Sequence, residues 1–565
     1  MADQVVYENS NSVETSYQPF TDKRVLWVSD ENSGSYSSGQ IQITTSALSN
    51  SGRWVDYANG EIHIPIIITA TSPAGDIGIA NNAFAVGIKN GFYQFIHSVQ
   101  ISYNNTEVVQ LTSQINHLIN FQLMTSLTKN DVEKIGPTIG FFPDEPQGWA
   151  FGAAADAGTI VGIGSAHNYN RENSAWLTGG GYANTISHYN TGFIRRQLIT
   201  NIDHAAANVA TYQNDDRAAS AGRNRYIYAA NTYAAWLFDA VIRLKDLSSF
   251  FGNMPLTKGA FVRIVLNLNM ATQQIRVPAG ANRAMRCSAA PILTGGTCPF
   301  MVASCLDNPV NSFGASNLPL DGAAARTITF QTSVARSSVA GVPNHPLSSA
   351  RLYVPTFTMN PINETDYITL NPTKTIKYQD NYVYTVNNIA AGATFSQLLT
   401  NGIAGATSIC CLPYYAASQH PIGGVGANAI VASPMASPFA AEPGTTTPLI
   451  RLADFQIQHG GLNVFNENQQ YEWAQFADEL QHANALNGGV QDNLNSGLVS
   501  FTHFINNYRY YYADLSRRIP AEDFVAKSIL ISGRNDSNVA IDLVCFVQYS
   551  KQLTIKTENS EVLMR

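Results

Sequence analysis

The sequence predicts a mainly β protein made of two tandem sandwiches of eight strands each. Three observations carry this expectation. Apolar and polar residues alternate in several runs of strand length, turn residues separate those runs, and a set of landmarks recurs in the same order in both halves. The chain has 565 residues, which at roughly 150 residues per domain allows about two to four domains.

The strands come first. Residues 61–69 put Ile62, Ile64, Ile66 and Ile68 on one face, the period of a half-buried strand. Pro65 cannot donate to a ladder, so that position should face an open edge or a bulge. Residues 260–269 align Val262, Ile264, Leu266 and Leu268 in the same way, and 375–386 and 539–550 are rich in Val, Ile, Tyr and Phe. Turn signals lie at Asn90-Gly91, Asn104-Asn105, Asn360-Pro361 and 533–536. Helices are few. Residues 113–127 carry Ile115, Leu118, Ile119 and Gln122 at helical spacing, with Thr112 or Ser113 as the N-cap. Residues 471–483 place Trp473, Phe476, Ala477 and Leu480 on one stripe. Two stretches rich in Ala, Gly and Asn or Pro, 151–233 and 423–448, read as long loops, either for binding or as irregular surface cover.

The repeat sets the organisation. Ile62-His-Ile-Pro65 matches Leu352-Tyr-Val-Pro355, and Ser113-Gln114 matches Ser396-Gln397. Asp246-Leu247-Ser248 matches Asp514-Leu515-Ser516, each after an aromatic strand, and β-runs at 261–269 and 539–549 close the two halves. Two sandwiches in one chain, joined near the Pro/Ser-rich 335–349, make a double jelly roll. The expected division is an N-terminal arm (1–45), a first jelly roll (46–340) with a loop insertion at about 150–235, and a second jelly roll (341–565) with a C-terminal tail.

Composition points the same way. Charged residues are only 13% of the chain, about half of the usual ~25%. A charge-poor surface is weakly protected against self-association, because both like-charge repulsion and ionic hydration are small. Net charge is −7, and the first 30 residues hold five acids (Asp3, Glu8, Glu14, Asp22, Asp30) against Lys23 and Arg24. This argues against a nucleic-acid backbone binder, which needs clustered Lys and Arg. The opening residues lack the pattern of a signal peptide, and no apolar run reaches the ~20 residues of a membrane span. Cys287, Cys298, Cys305, Cys410, Cys411 and Cys545 fit neither a disulfide framework nor a CxxC metal pattern, and read as reduced thiols.

Chemical motifs were weighed one by one. No HExxH occurs, and His188/His204 and His482/His503 are too widely spaced to signal a metal site. Gly162/Gly164 and Gly179–Gly181 lack the strand and helix of a phosphate loop, and no GxSxG elbow exists. Asp478/Glu479 and Glu522/Asp523 read as solvated faces rather than a glycosidase pair. The sequons at Asn104 and Asn363 read as unused. Asp514, Arg517 and Arg518 read either as an intersubunit charge network or, in preference, as a local turn capped by Asp514. Tyr508, Tyr510 and Tyr512 share a strand face, read as core ahead of subunit contact. No catalytic, cofactor or metal residue is expected.

Three stretches carry a family resemblance: residues 349–355 with Asn360-Pro361, residues 471–480 (YEWAQFADEL), and residues 507–518 (NYRYYYADLSRR), continuing through 528–529, 533–535 and 541–543. They resemble the double jelly-roll major capsid proteins of virophages, polintons and polinton-like viruses. The first stretch looks like the opening strand of the family's second jelly roll. The resemblance implies a non-enzymatic capsid protein. It would trimerise into pseudo-hexagonal capsomers and tile an icosahedral shell around double-stranded DNA. Implied partners are further copies of itself, penton and minor capsid proteins, and an inner membrane or cement protein, without sequence-specific nucleic-acid binding. The implied location is the virion, after synthesis in the host cytoplasm or nucleus. The alternative is a carbohydrate-binding or carbohydrate-active β-sandwich, which predicts a cleft with aromatic walls and paired carboxylates. A spike or fibre is a third reading, but no stalk repeat is visible.

Overall fold

The computed structural model describes residues 19–32, 34–71, 84–144, 191–196, 198, 225–229, 233–277, 286–291, 296–304, 326–416, 435–436, 438, 444–446, 450–486, 497–516 and 525–564. Eight strands build the first sandwich: β1 (Phe20–Ser29), β2 (Gln40–Thr44), β3 (Glu61–Thr71), β4 (Ile96–Tyr103), β5 (Thr106–Ser113), β6 (Tyr233–Arg243), β7 (Val262–Leu268) and β8 (Arg351–Met359). One sheet runs β1-β8-β3-β6 and the other β2-β7-β4-β5. Eight more build the second: β9 (Thr373–Ile389), β10 (Thr394–Ile403), β11 (Ala406–Tyr415), β12 (Leu452–His459), β13 (Leu462–Asn463), β14 (Tyr511–Asp514), β15 (Lys527–Asn535) and β16 (Ile541–Lys556). Its sheets run β9-β16-β11-β14 and β10-β15-β12-β13. Each strand n of the first sandwich therefore corresponds to strand n + 8 of the second, and each set is a jelly roll. The fold is a double jelly roll.

Local chemistry explains the elements. In β3 the isoleucines at 62, 64, 66 and 68 are all buried, and so is Ile67 on the other face. Pro65 falls where one neighbour of β3 ends and the next begins. β8 pairs with residues 61–63, and the added strand Arg326–Val334 pairs with 66–71. The hairpin between β4 and β5 turns on Asn104 and Asn105, both at positive φ (45° and 64°), as a two-residue turn matched to the strand twist requires. Gly460 and Gly461 do the same between β12 and β13 (64° and 81°). Strands Ala271–Val277 and Arg286–Pro291 extend the first sheet beyond Arg326–Val334.

The principal helices are α1 (Ile115–Ser126), α2 (Lys129–Ile139), α3 (Pro361–Leu370), α4 (Trp473–Leu486) and α5 (Phe501–Asn506). α1 is buried nearly all round, at Ile115, Leu118, Ile119, Phe121, Leu123 and Met124 and also at Asn116, His117 and Asn120. Its N-cap is Gln114 in the left-handed region, with no side-chain cap; Ser113 belongs to β5, and the Thr112 hydroxyl donates to Gln110 O. Asn360-Pro361, expected as a simple turn, starts α3 instead: Asn360 Oδ1 accepts from Ile362 N, with proline at the first helical position.

Strand pairing changes two expectations about the division of the chain. Residues 20–29 and 40–44 are not an arm, because β1 pairs along β8 and β2 pairs along β7. Residues 351–359 close the first sandwich rather than open the second, which begins with β9 after α3. The matched Ile62–Pro65 and Leu352–Pro355 are not equivalent positions in two copies. They are neighbours in one sheet, with Ile62 opposite Leu352. The end of the chain also differs from a free tail. Strand Val562–Met564 folds back onto β16, and Ser560 is bonded to Lys258 O and by Asn104 Nδ2. Apart from 191–196, 198, 225–229 and 233, the predicted loop at 151–233 lies outside the described residues, as does most of 423–448.

Face assignment makes a direct prediction. Ile64→Ala, in the core of the first sandwich, should cost about 2–5 kcal/mol in urea unfolding. Leu111→Ala, with Leu111 58% exposed on β5, should cost less than about 0.5 kcal/mol.

Candidate assembly surfaces

The two sandwiches meet through the outer face of the second sandwich's first sheet. β5 lies against β9 and β16: Tyr378 OH donates to Val108 O (2.9 Å), Gln110 Nε2 to Tyr549 OH (2.9 Å) and Thr112 Oγ1 to Asn381 O (3.4 Å). Asp380, fully buried here, accepts from Lys551 Nζ (2.6 Å) and Tyr549 OH (3.0 Å). Further up the sheet, α1 covers β11 and β14. Phe121 packs against Tyr510 (ring centroids 5.0 Å) and Tyr512 (5.8 Å), and His117 Nδ1 lies 2.7 Å from Tyr414 OH. The other face of β14 points into its own sandwich, where Tyr511 packs on Phe455 and Tyr471. The tyrosines at 508, 510 and 512 are thus core, shared between the two sandwiches.

A polar network seals the top of this seam. Asn90 Nδ2 donates to Asn120 Oδ1 (2.9 Å) and Gly444 O (2.7 Å), and Asn120 Nδ2 also donates to Gly444 O (2.8 Å). Tyr93 OH donates to Asn120 Oδ1 (2.6 Å), and Asp144 N to Tyr508 OH (2.9 Å). Arg196 pairs with Asp144 at 2.6 Å with both side chains buried, and donates to Ile88 O and Phe142 O. Removing either charge would strand the other in a low-dielectric site.

At the opposite end α3 acts as a clasp. Glu364 accepts from Trp54 Nε1 (3.1 Å) and pairs with Lys258 (2.6 Å). The Lys374 ammonium sits over the rings of Trp54 (4.9 Å) and Tyr367 (4.6 Å) and donates to Leu256 O (2.8 Å). Burial pulls its pKa down to about 8. Nothing in the sequence brought Trp54 and Lys374 together, because their residues are separated by most of the first sandwich.

Among the described residues no group of His, Cys, Asp and Glu is arranged to hold a metal. Cys298, Cys410, Cys411 and Cys545 are free and buried; burial pushes the Cys298 thiol up to about 11. Asp514 caps a local turn, accepting from Ser516 N (3.0 Å) and Ser516 Oγ (2.7 Å). Arg517, Arg518, Glu522 and Asp523 lie outside the described residues, as do His188, His204 and the glycine clusters. Glu479 departs from the solvated face expected for it: it is buried and accepts from Asp514 N (3.0 Å), tying α4 to β14. An open cleft of about 560 Å³ lies between the sandwiches, beside Ser249, Lys377, Gly405 and Lys551; Tyr378 is its one aromatic and no carboxylate is among its described lining residues.

Among the described residues several outward regions carry large apolar side chains, among them Val25 (59% exposed) and Trp27 (52%) on β1, Leu111 (58%) on β5, Leu462 (74%) on β13, Phe501 (57%) on α5, and Ile362 and Leu370 on α3. Arg351 stacks on Trp27 at 4.5 Å.

No protein-family profile matches the chain, and no curated protein matches it in sequence. Among solved structures the chain is similar to one from the Sputnik virophage determined by cryo-EM, with 11% identity over 98% of this chain and 89% of that one and a TM-score of 0.43. It is also similar to the mavirus major capsid protein (9% identity, 98% and 93% covered, TM-score 0.39) and to the Faustovirus major capsid protein (9%, 96% and 92%, 0.41). The strand order described above, not these likenesses, carries the assignment of the fold.

The seam should be acid-sensitive. Burial, with His97 and Lys89 near, depresses the His117 pKa from 6.5 to about 3. Between those values the unfolded chain binds a proton that the folded chain refuses, so stability falls as pH drops from 6.5 towards 3. The slope from this group approaches about 1.4 kcal/mol per pH unit. His117→Gln should remove that part of the slope when urea unfolding is compared between pH 7 and pH 4.

Proposed function

We propose that this protein is a major capsid protein that acts by self-assembly. Three copies close into a capsomer of six jelly rolls, and such capsomers tile an icosahedral shell around a double-stranded DNA genome. The observation that carries the reading is the repeated strand order, n and n + 8, in two jelly rolls fused side by side within one chain. Two quasi-equivalent units per chain let a three-fold ring imitate a six-fold one, and a six-fold outline packs in a plane with little distortion. The charge-poor composition, 13% charged residues, agrees with lateral faces that meet copies of themselves. The sequence stretches 471–480 and 507–518 fit the same reading: they shape α4 and β14, and α4 is tied to β14, which lies under α1 at the seam between jelly rolls. Pentameric vertex proteins, minor proteins beneath the shell and a place in the virion follow as partners and location. Each contact is weak, and closure of the shell multiplies it.

Native mass spectrometry with negative-stain electron microscopy tests this. Three copies of 61.3 kDa should give a particle of about 184 kDa with a pseudo-hexagonal outline. A 61.3 kDa monomer at high micromolar concentration would overturn the proposal.

A further inference from the structure

Two cysteines face each other across the middle strands of the second sandwich's first sheet. Cys411 on β11 is paired with Cys545 on β16. Directly opposed residues of antiparallel strands share one face of the sheet, and on that face Cys411 is also opposite Tyr511. Tyr511 packs on Phe455 and Tyr471 inside the sandwich. Both thiols therefore lie in its core, each 0% exposed. Cys410, one residue back, is on the other face, opposite Phe546 and Tyr512. The Cys298 thiol is engaged elsewhere, donating to Phe300 O (3.3 Å).

The backbone hydrogen bonds decide what kind of pair this is. Ala416 N donates to Ala540 O at the end of the β11–β16 ladder, and Leu515 N donates to Thr407 O between β14 and β11. The register runs unbroken from Ser408 to Tyr415 against β16, and from Ser408 to Cys411 against β14. Backbone groups alternate sides along a strand, so even-numbered residues of β11 bond to β16 and odd-numbered ones to β14. Cys411 and Cys545 are thus a non-hydrogen-bonded pair, whose Cα atoms stand about 4.5 Å apart. That separation falls within the roughly 4.4–6.8 Å that a disulfide spans. The two thiols already interact: hydrogen bonding with Cys411, ahead of burial, pushes the Cys545 thiol well above its ordinary range.

We propose that Cys411 and Cys545 are the site of an internal disulfide, closed by exchange with a low-molecular-weight disulfide while the sheet forms and sealed once it has formed. One cysteine thiolate attacks a sulfur of the small disulfide, whose S–S bond breaks and releases one thiol. The other cysteine attacks the resulting mixed disulfide, which forms the Cys411–Cys545 bond and releases the second thiol. Two electrons and two protons pass from the cysteines to the small molecule. After β11 and β16 pair, neither side chain meets solvent, and thiols buried among apolar groups stay protonated and inert. A chain folded under reducing conditions therefore keeps its dithiol when moved to oxidising ones. A bridged chain keeps its bridge in reductant. The bridge joins the two middle strands of the sheet β9-β16-β11-β14 and closes a long loop of the unfolded chain, so it raises stability.

The test refolds the full chain from urea in two glutathione buffers, one reduced and one oxidised, with an acid quench before peptide mapping by mass spectrometry. Folding in the oxidised buffer should link the peptides that hold Cys411 and Cys545 and raise the urea midpoint. Cys410→Ala should still bridge, whereas Cys411→Ala and Cys545→Ala should not. Protein folded with reduced thiols should stay a dithiol in the oxidised buffer until urea is added, and the bridged form should resist dithiothreitol in the same way. Cell-free synthesis of the chain in the two buffers gives the same readout without a refolding step. Folded protein from the oxidised buffer with both thiols free, capped by glutathione or bound to another cysteine overturns the site. Oxidation of the folded protein as fast as that of the unfolded chain overturns the sealing.

Discussion

A sheet with two apolar faces must be covered twice, and that requirement organises this molecule. β11 is buried along nearly its whole length and β14 along all of it. One face is covered by the sandwich to which they belong. The other is covered by α1 from the preceding sandwich, so the second jelly roll cannot present a complete surface to water without the first. The core is accordingly one connected cluster that spans both halves of the chain.

Polar groups follow from that geometry. A helix laid across a sheet brings backbone and side-chain donors into a dry seam, where each needs a partner. Asn90, Asn120, Tyr93 and Tyr508 bond to one another and to Gly444 O at one end. At the other, Glu364 of α3 and Lys374 of β9 fasten onto Trp54, Lys258 and Leu256. Such bonds contribute modest net stability but penalise any other alignment strongly, because a sliding seam would leave buried donors unpaired. The relative placement of the sandwiches is therefore well specified.

The repeat was legible in outline and misread in register, for a physical reason. Of the matched landmarks, Asp246–Ser248 and Asp514–Ser516 do lie at the ends of corresponding strands, the first just after β6 and the second from the last residue of β14. The closing runs do not correspond, since 262–268 is the seventh strand of its sandwich and 541–556 the eighth. Ser113-Gln114 precedes a helix while Ser396-Gln397 lies inside β10. Leu352–Pro355 looked like Ile62–Pro65 because adjacent strands of one sheet feel the same layers above and below, and similar environments select similar residues. β1 was hidden by its composition. FTDKRVLWVS has the charged, half-apolar look of a tail, since of its apolar residues this strand at a sheet edge buries only Leu26 and Val28, and those partly.

By itself the sequence determined the class: alternation set the strands, Asn104-Asn105 set a turn, and the helical spacing of Ile115, Leu118 and Ile119 set a helix. These are local properties, readable within a window of a dozen residues. Only the tertiary structure decided which strand neighbours which, that residues 20–29 and 351–359 enclose the first sandwich, and that Trp54, Glu364 and Lys374 form one clasp. Those outcomes depend on contacts between residues hundreds apart, where the energy lies in matching whole faces rather than in any residue's own preference.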